Sequence, residues 1–219
     1  MNLRIAGLLL TFLFFSGLSF LYLSPAGSLL LENNTEQALS SGTDSVTLPF
    51  LYQLLDHLAL THPSQIFYGA LPNPNINAPD GLAAWVPWSE RIFSLGLSPF
   101  LSPEQRATGI IFILWTLNAF IFFMWARSLG WSWGISMALA ICWAFNPFTR
   151  ARAHVHTIMA GIYFLPLSFL GLRWAITKTS RSSLLWAALC LLFASFSAHY
   201  FLIISLGFLP FFLIYLGKG

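Results

Sequence analysis

Long apolar runs separated by short polar breaks dominate the chain. Residues 5–23 form a stretch of 19 without a charged side chain. At 1.5 Å of rise per residue this is enough to cross a hydrocarbon core about 30 Å thick. Arg4 precedes the run, and Ser24-Pro25-Ala26 follows it in a form that also suits a cleavage site. Signal-peptide apolar regions are typically about 7–15 residues, so an uncleaved first transmembrane helix over 1–23 is the expectation. Three further runs, 107–126, 131–148 and 158–176, are each long enough to span. The run 184–216 would measure about 50 Å as one helix. It is therefore read as two short crossings broken near Ser195-Phe196-Ser197-Ala198-His199, with a single helix bent at Pro210 as the alternative.

These runs predict an all-α integral membrane protein with about six transmembrane helices. With the N-terminus cytoplasmic, Arg4, Arg127, Arg173, Lys178, Arg181 and Lys218 lie inside. All seven acids, all five histidines and the other four arginines lie outside. That is the lysine and arginine bias expected of a multi-pass protein of the plasma (inner) membrane.

Residues 24–106 then form a long extracytoplasmic first loop, which holds nine of the twelve prolines and every Asp and Glu. Leu48, Leu51, Leu54, Leu55 and Leu58 recur at helical spacing, with Gln53, Asp56 and His57 on other faces. A second amphipathic piece is expected after Asp80, with Leu82, Trp85, Trp88, Ile92 and Leu95 near one face, suited to the membrane interface. Between them, residues 71–79 are too rich in proline for a regular element. Ser102-Pro103-Glu104-Gln105 reads as a capping box with proline at the first helical position, opening the second span. The remainder, 107–219, is a transmembrane helix bundle. Its end directly after an apolar run points to a truncated product.

Composition agrees and excludes alternatives. Hydrophobic residues make up 57% of the 219 and charged residues only 8%, against about 25% charged in an average soluble chain. So few charges could not cover a soluble domain containing 22 Phe and 9 Trp. A nucleic-acid-binding domain, a disulfide-stapled module and a disordered chain are excluded on the same grounds. Cys142 and Cys190 lie in apolar runs and read as packing residues, without a disulfide or metal.

Candidate chemistry belongs to the outer side, because the inner loops are short and carry no acid. Asp44, in a small polar turn before the first amphipathic piece, has the character of a general base; a helix cap or solvated loop acid is the plainer reading. Asp80 has the same two readings, capping first. Arg150, Arg152, His154 and His156 alternate after Asn146-Pro147-Phe148 and concentrate donors suited to phosphate oxygens. The alternative is a basic cluster at lipid headgroups. His154 and His156 could instead join His57 or His62 around a metal, a weak pattern without a fixed third ligand. His199 points to the same outer side, and Asn118 reads as a packing residue within the second span.

The arrangement resembles the GT-C superfamily of polytopic membrane glycosyltransferases, which use lipid-linked sugar donors. The resemblance rests on Gly42-Thr43-Asp44, on 77–82 (Asn-Ala-Pro-Asp-Gly-Leu) and on 146–154, from Asn146 to His154. It implies that Asp44 activates the acceptor or helps hold a divalent metal, the one cofactor left open. It further implies that Arg150, Arg152 and His154 bind the phosphate of a polyprenyl-phosphate-linked sugar, with Asp80 and His156 also lining the substrate. The sugar would pass to a glycan, lipid or protein acceptor, generally with inversion. Paired first-loop acids, common in that superfamily, are here a lone Asp44, and its members are commonly longer. Two other classes stay open: a transporter or flippase component for an anionic lipid, and a structural subunit of a membrane complex. The expected partners are the lipid-linked sugar and membrane lipid, without nucleic acid.

Overall fold

A computed structural model of the chain describes residues 3–23, 51–53, 55–57, 59–61, 88–149, 162–177 and 180–195, together with 207, 210 and 214. Among them there is no strand. Six helices follow in order: α1 (Leu3–Leu23), α2 (Trp88–Leu97), α3 (Pro103–Ser128), α4 (Trp133–Ala144), α5 (Phe164–Thr177) and α6 (Arg181–Ser195). Residues 51–53, 55–57 and 59–61 are helical as well.

The helix starts are written locally. Ser102 caps α3: its Oγ accepts from the Gln105 N–H at 3.3 Å while Gln105 Oε1 accepts from the Ser102 N–H at 3.0 Å. This is the reciprocal box expected from sequence, with Pro103 at the first helical position. Ser132 caps α4 and Ser180 caps α6 through the same side-chain contact to a backbone N–H. At the far end of α3, Gly130 adopts φ 87°, the left-handed geometry that ends a helix without a Cβ clash. The Arg127 guanidinium closes this turn by donating to the Trp131 carbonyl and lying over the Trp133 ring.

Helix α3 is the central post. It buries Ile110, Leu114, Trp115, Asn118, Ala119 and Phe123 on several sides. Helix α1 runs antiparallel to it, pairing Phe12 with Phe120 and Tyr22 with Trp115, and joining Ser19 Oγ to the Thr116 hydroxyl at 3.1 Å. Helix α4 returns parallel to α1, since Trp133 lies beside Gly7 and Asn146 beside Tyr22. Helix α5 runs with α3 and forms a tight hairpin with α6. A Cβ on Gly171 would come within 2.9 Å of Cys190 Cβ and 3.1 Å of the Ala187 carbonyl oxygen.

Among the described residues, two helices are long and apolar enough to cross a membrane, Ile5–Leu23 and Gln105–Ser128. α1 leaves Ile5, Leu10, Leu13 and Leu21 more than half exposed, an apolar face suited to lipid or another apolar partner. α4, with both of its ends described, has 12 residues and reaches only about 18 Å, short of a hydrocarbon core. The run 131–148 is thus not one continuous helix. α4 stops at Ala144, the chain bends at Phe145 and Asn146, and helical geometry resumes at Pro147. α6 is described as far as Ser195, and the expected break in the last run, from Phe196 to His199, lies outside the described residues.

Candidate functional site

The densest polar cluster among the described residues lies at the end of the bundle where α3 begins. An arginine in the first turn of a helix sits against the positive end of the macrodipole, so Arg106 requires a nearby anion. Asp56, on the helical stretch of the loop, supplies it. Arg106 Nη1 donates to Asp56 Oδ1 at 2.8 Å and Nη2 donates to Oδ2, a bidentate fork. Nη1 also reaches Ser94 Oγ at 3.2 Å and the Ser94 carbonyl at 3.4 Å on α2. The Arg106 Cζ lies 5.9 Å from the centre of the Tyr52 ring, within cation–π range. Arg106 is 1% exposed and Asp56 33%. The guanidinium is therefore sealed, while water reaches one side of the carboxylate.

Glu90 and Arg91 on α2 are buried beside Ser94. Burial lowers the Arg91 guanidinium below its ordinary pKa, because desolvation disfavours the charged form. Of the apolar face expected on this piece, Ile92 is 47% exposed and Leu95 partly buried, while Glu90, Arg91 and Ser94 are buried. The first piece follows its leucine pattern: Leu51 and Leu55 are buried, and Gln53 and His57 are exposed.

Around these polar groups, Leu23, Leu51, Tyr52, Leu55, Ile110, Ile111, Trp115, Tyr163 and Phe164 form one apolar cluster, with Phe145 packed against it. The end of α1, the loop helix, the start of α3, the break after α4 and the entry to α5 therefore meet at one end of the bundle.

The break after α4 is built by Asn146. Pro147 has no N–H to offer the Trp143 carbonyl. Asn146 Nδ2 donates to that oxygen instead, at 2.7 Å, and Asn146 Oδ1 accepts from the Thr149 N–H at 3.0 Å. Asn146 thus closes one helical segment and caps the next. The fully buried Thr149 donates to the Ala144 carbonyl at 2.8 Å and to that of Asn146 at 2.9 Å. The Tyr22 hydroxyl donates to the Asn146 carbonyl at 3.0 Å.

Asp44, Asp80, Arg150, Arg152, His154 and His156 all lie outside the described residues, as do His62 and His199. His57 is described and exposed, and no group of three His, Cys, Asp or Glu able to hold a metal ion occurs among the described residues. Asn118 is fully buried in α3, consistent with packing. Both cysteines are free, but Cys142 is exposed on α4 instead of buried, because that face of the helix has no neighbour over it among the described residues.

Sequence reasoning missed the Asp56–Arg106 pair. It placed Asp56 off the leucine face and Arg106 at the end of the loop without joining them. The available signal was physical: a charge in the first turn of a long apolar helix calls for a partner, and every acid lies between residues 32 and 104. Comparisons with protein-family models, curated proteins and solved structures return no match to this chain.

Proposed function

We propose that this chain is a membrane glycosyltransferase, or the N-terminal part of one, that moves a sugar from a polyprenyl phosphate to a glycan, lipid or protein acceptor at the extracytoplasmic face. Asp44 takes the proton from an acceptor hydroxyl as its oxygen attacks the anomeric carbon. The bond from that carbon to the phosphate oxygen breaks, and polyprenyl phosphate leaves with its charge held by Arg150, Arg152 and His154. Asp80 and His156 line the same substrate.

One observation supports this reading above the others. The bidentate Asp56–Arg106 pair seats the loop helix on the end of the bundle where α4 breaks. Asp44 precedes Leu51 by seven residues on that loop, and Arg150 directly follows Thr149 at that break. Leu51 and Phe145, described residues close in sequence to Asp44 and to Arg150, share one apolar cluster, and this supports the reading.

The test is sugar transfer by the purified chain in vesicles containing a polyprenyl-phosphate-linked sugar. Asp44→Asn should abolish transfer and leave donor binding measurable, whereas Arg150→Ala with Arg152→Ala should weaken donor binding. Transfer retained in Asp44→Asn removes the base assignment. Lipid movement across the vesicle without transfer favours an anionic-lipid transporter instead.

A further inference from the structure

Arg106 and Arg127 mark the two ends of α3 and stand about 32 Å apart along its axis, close to the roughly 30 Å of a hydrocarbon core. Where α3 crosses a bilayer, both fall at headgroup level. Arg106 is neutralised within the protein, by Asp56. Arg127 is not. No acid occurs in α1, α4, α5 or α6, and among the described residues the Arg127 side chain bonds the Trp131 carbonyl and lies over the Trp133 ring, both neutral partners.

The turn around Arg127 holds that charge in a fixed place. The Gly130 N–H donates to the Arg127 carbonyl at 3.1 Å, Gly130 takes its left-handed φ, and Ser132 caps α4 two residues later. Nη1 is engaged by the Trp131 carbonyl, and Cζ is 5.6 Å from the centre of the Trp133 ring. Nε and Nη2 bond no described residue, and the side chain is exposed. Those two nitrogens form one edge of the guanidinium, a fork that matches two oxygens of a single phosphate. Trp131, Trp133 and Ile135 are exposed beside it. Indoles in that setting suit the boundary between headgroup and acyl chain.

We propose that the turn between α3 and α4 binds the headgroup of an anionic phospholipid, with Arg127 Nε and Nη2 donating to its phosphate and the exposed Trp131 and Trp133 rings bordering its glycerol. A zwitterionic lipid brings its own cation, for which this end of the bundle offers no acid among the described residues. A net anion is therefore preferred. The site lies at the opposite end of α3 from Asp56, and it rests on the membrane setting of the proposed function and not on sugar transfer.

The test follows the melting temperature of the purified chain in neutral detergent as short-chain phosphatidylglycerol, short-chain phosphatidylcholine or inorganic phosphate is added, and takes apparent affinities from the rise. Phosphatidylglycerol should bind about fivefold tighter than phosphatidylcholine, the scale of one basic residue at an anionic surface. The ratio within each variant cancels any general change in stability. Arg127→Gln should bring that ratio close to one. Arg127→Lys, which keeps the charge and still reaches the Trp131 carbonyl, should fall between, since a point charge replaces the fork. Arg181→Gln, which removes another exposed arginine at the same end, should keep the wild-type ratio.

An unchanged ratio in Arg127→Gln, or an equal loss in Arg181→Gln, overturns the site, the second because diffuse surface charge would then be the cause. A full wild-type ratio in Arg127→Lys overturns recognition by the fork. Protection by inorganic phosphate equal to that by phosphatidylglycerol overturns the lipid as its source. Equal protection by the two lipids in the wild type overturns the site alone, and protection by neither overturns the membrane setting with it.

Discussion

Replacing Asp56 by Leu should destabilise the seat of the loop far more than replacing Arg106 by Met, although each removes the same ion pair. Without Asp56, a guanidinium that is 1% exposed keeps only its contacts to Ser94 and Tyr52, and lies at the positive end of α3. Breaking a buried pair from one side costs about 3–5 kcal/mol. Water already reaches Asp56, so the lower end, about 3 kcal/mol, applies. Without Arg106, the carboxylate is one-third exposed and still faces a helix N-terminus, which favours an anion; the loss should be about 1 kcal/mol. The double variant, apolar on both sides, should lie near the wild type.

A buried reporter reads this directly. Ala107→Cys, at a site 3% exposed beneath the loop helix, is placed in a background with Cys142→Ser and Cys190→Ala. A thiol reagent labels it when the seat opens. Relative to the parent, Asp56→Leu should speed labelling about 150-fold and Arg106→Met about fivefold, at 1.4 kcal/mol per factor of ten. Equal rates in the two single variants would refute the desolvation argument.

Other consequences are simpler to measure. Gly171→Ala should lower thermal stability by about 1–3 kcal/mol, because the new methyl meets the Ala187 carbonyl and Cys190 Cβ, atoms that cannot swing aside. Cys190→Ala should not rescue it, since the Cβ remains. Ser102→Ala should cost about 1 kcal/mol in denaturant or thermal unfolding through loss of the α3 cap. Gln105→Ala should cost less, since it leaves the Ser102 side-chain bond in place.

What the sequence disclosed was chiefly local. The capping box at Ser102 and Gln105 requires only four neighbouring residues, and both α1 and α3 arise from unbroken apolar runs. Leu51 and Leu55 face inward as their spacing indicates. The end of α4 depended on weighing Pro147 against an apolar run that continues to Phe148, and the chain follows the proline. The inward face of α2 was not legible at all. Burying Ser94 is tolerable because Arg106 bonds it, and Arg106 meets Asp56 across 50 positions of sequence. Pattern along a chain reports how apolar a position is, whereas pairing across such a distance is decided by the packed bundle.

The placement of Arg106 also sets the register of α3 in the bundle. A sealed charge one turn inside the mouth of a helix acts as a stop: sliding α3 along its axis by one turn, about 5.4 Å, would strip the arginine from Asp56. At the opposite end, Arg127 is tied to the turn at Trp131. α3 is thereby fixed in height like a bolt with a head at each side, so any rearrangement of the surrounding helices must pivot about it.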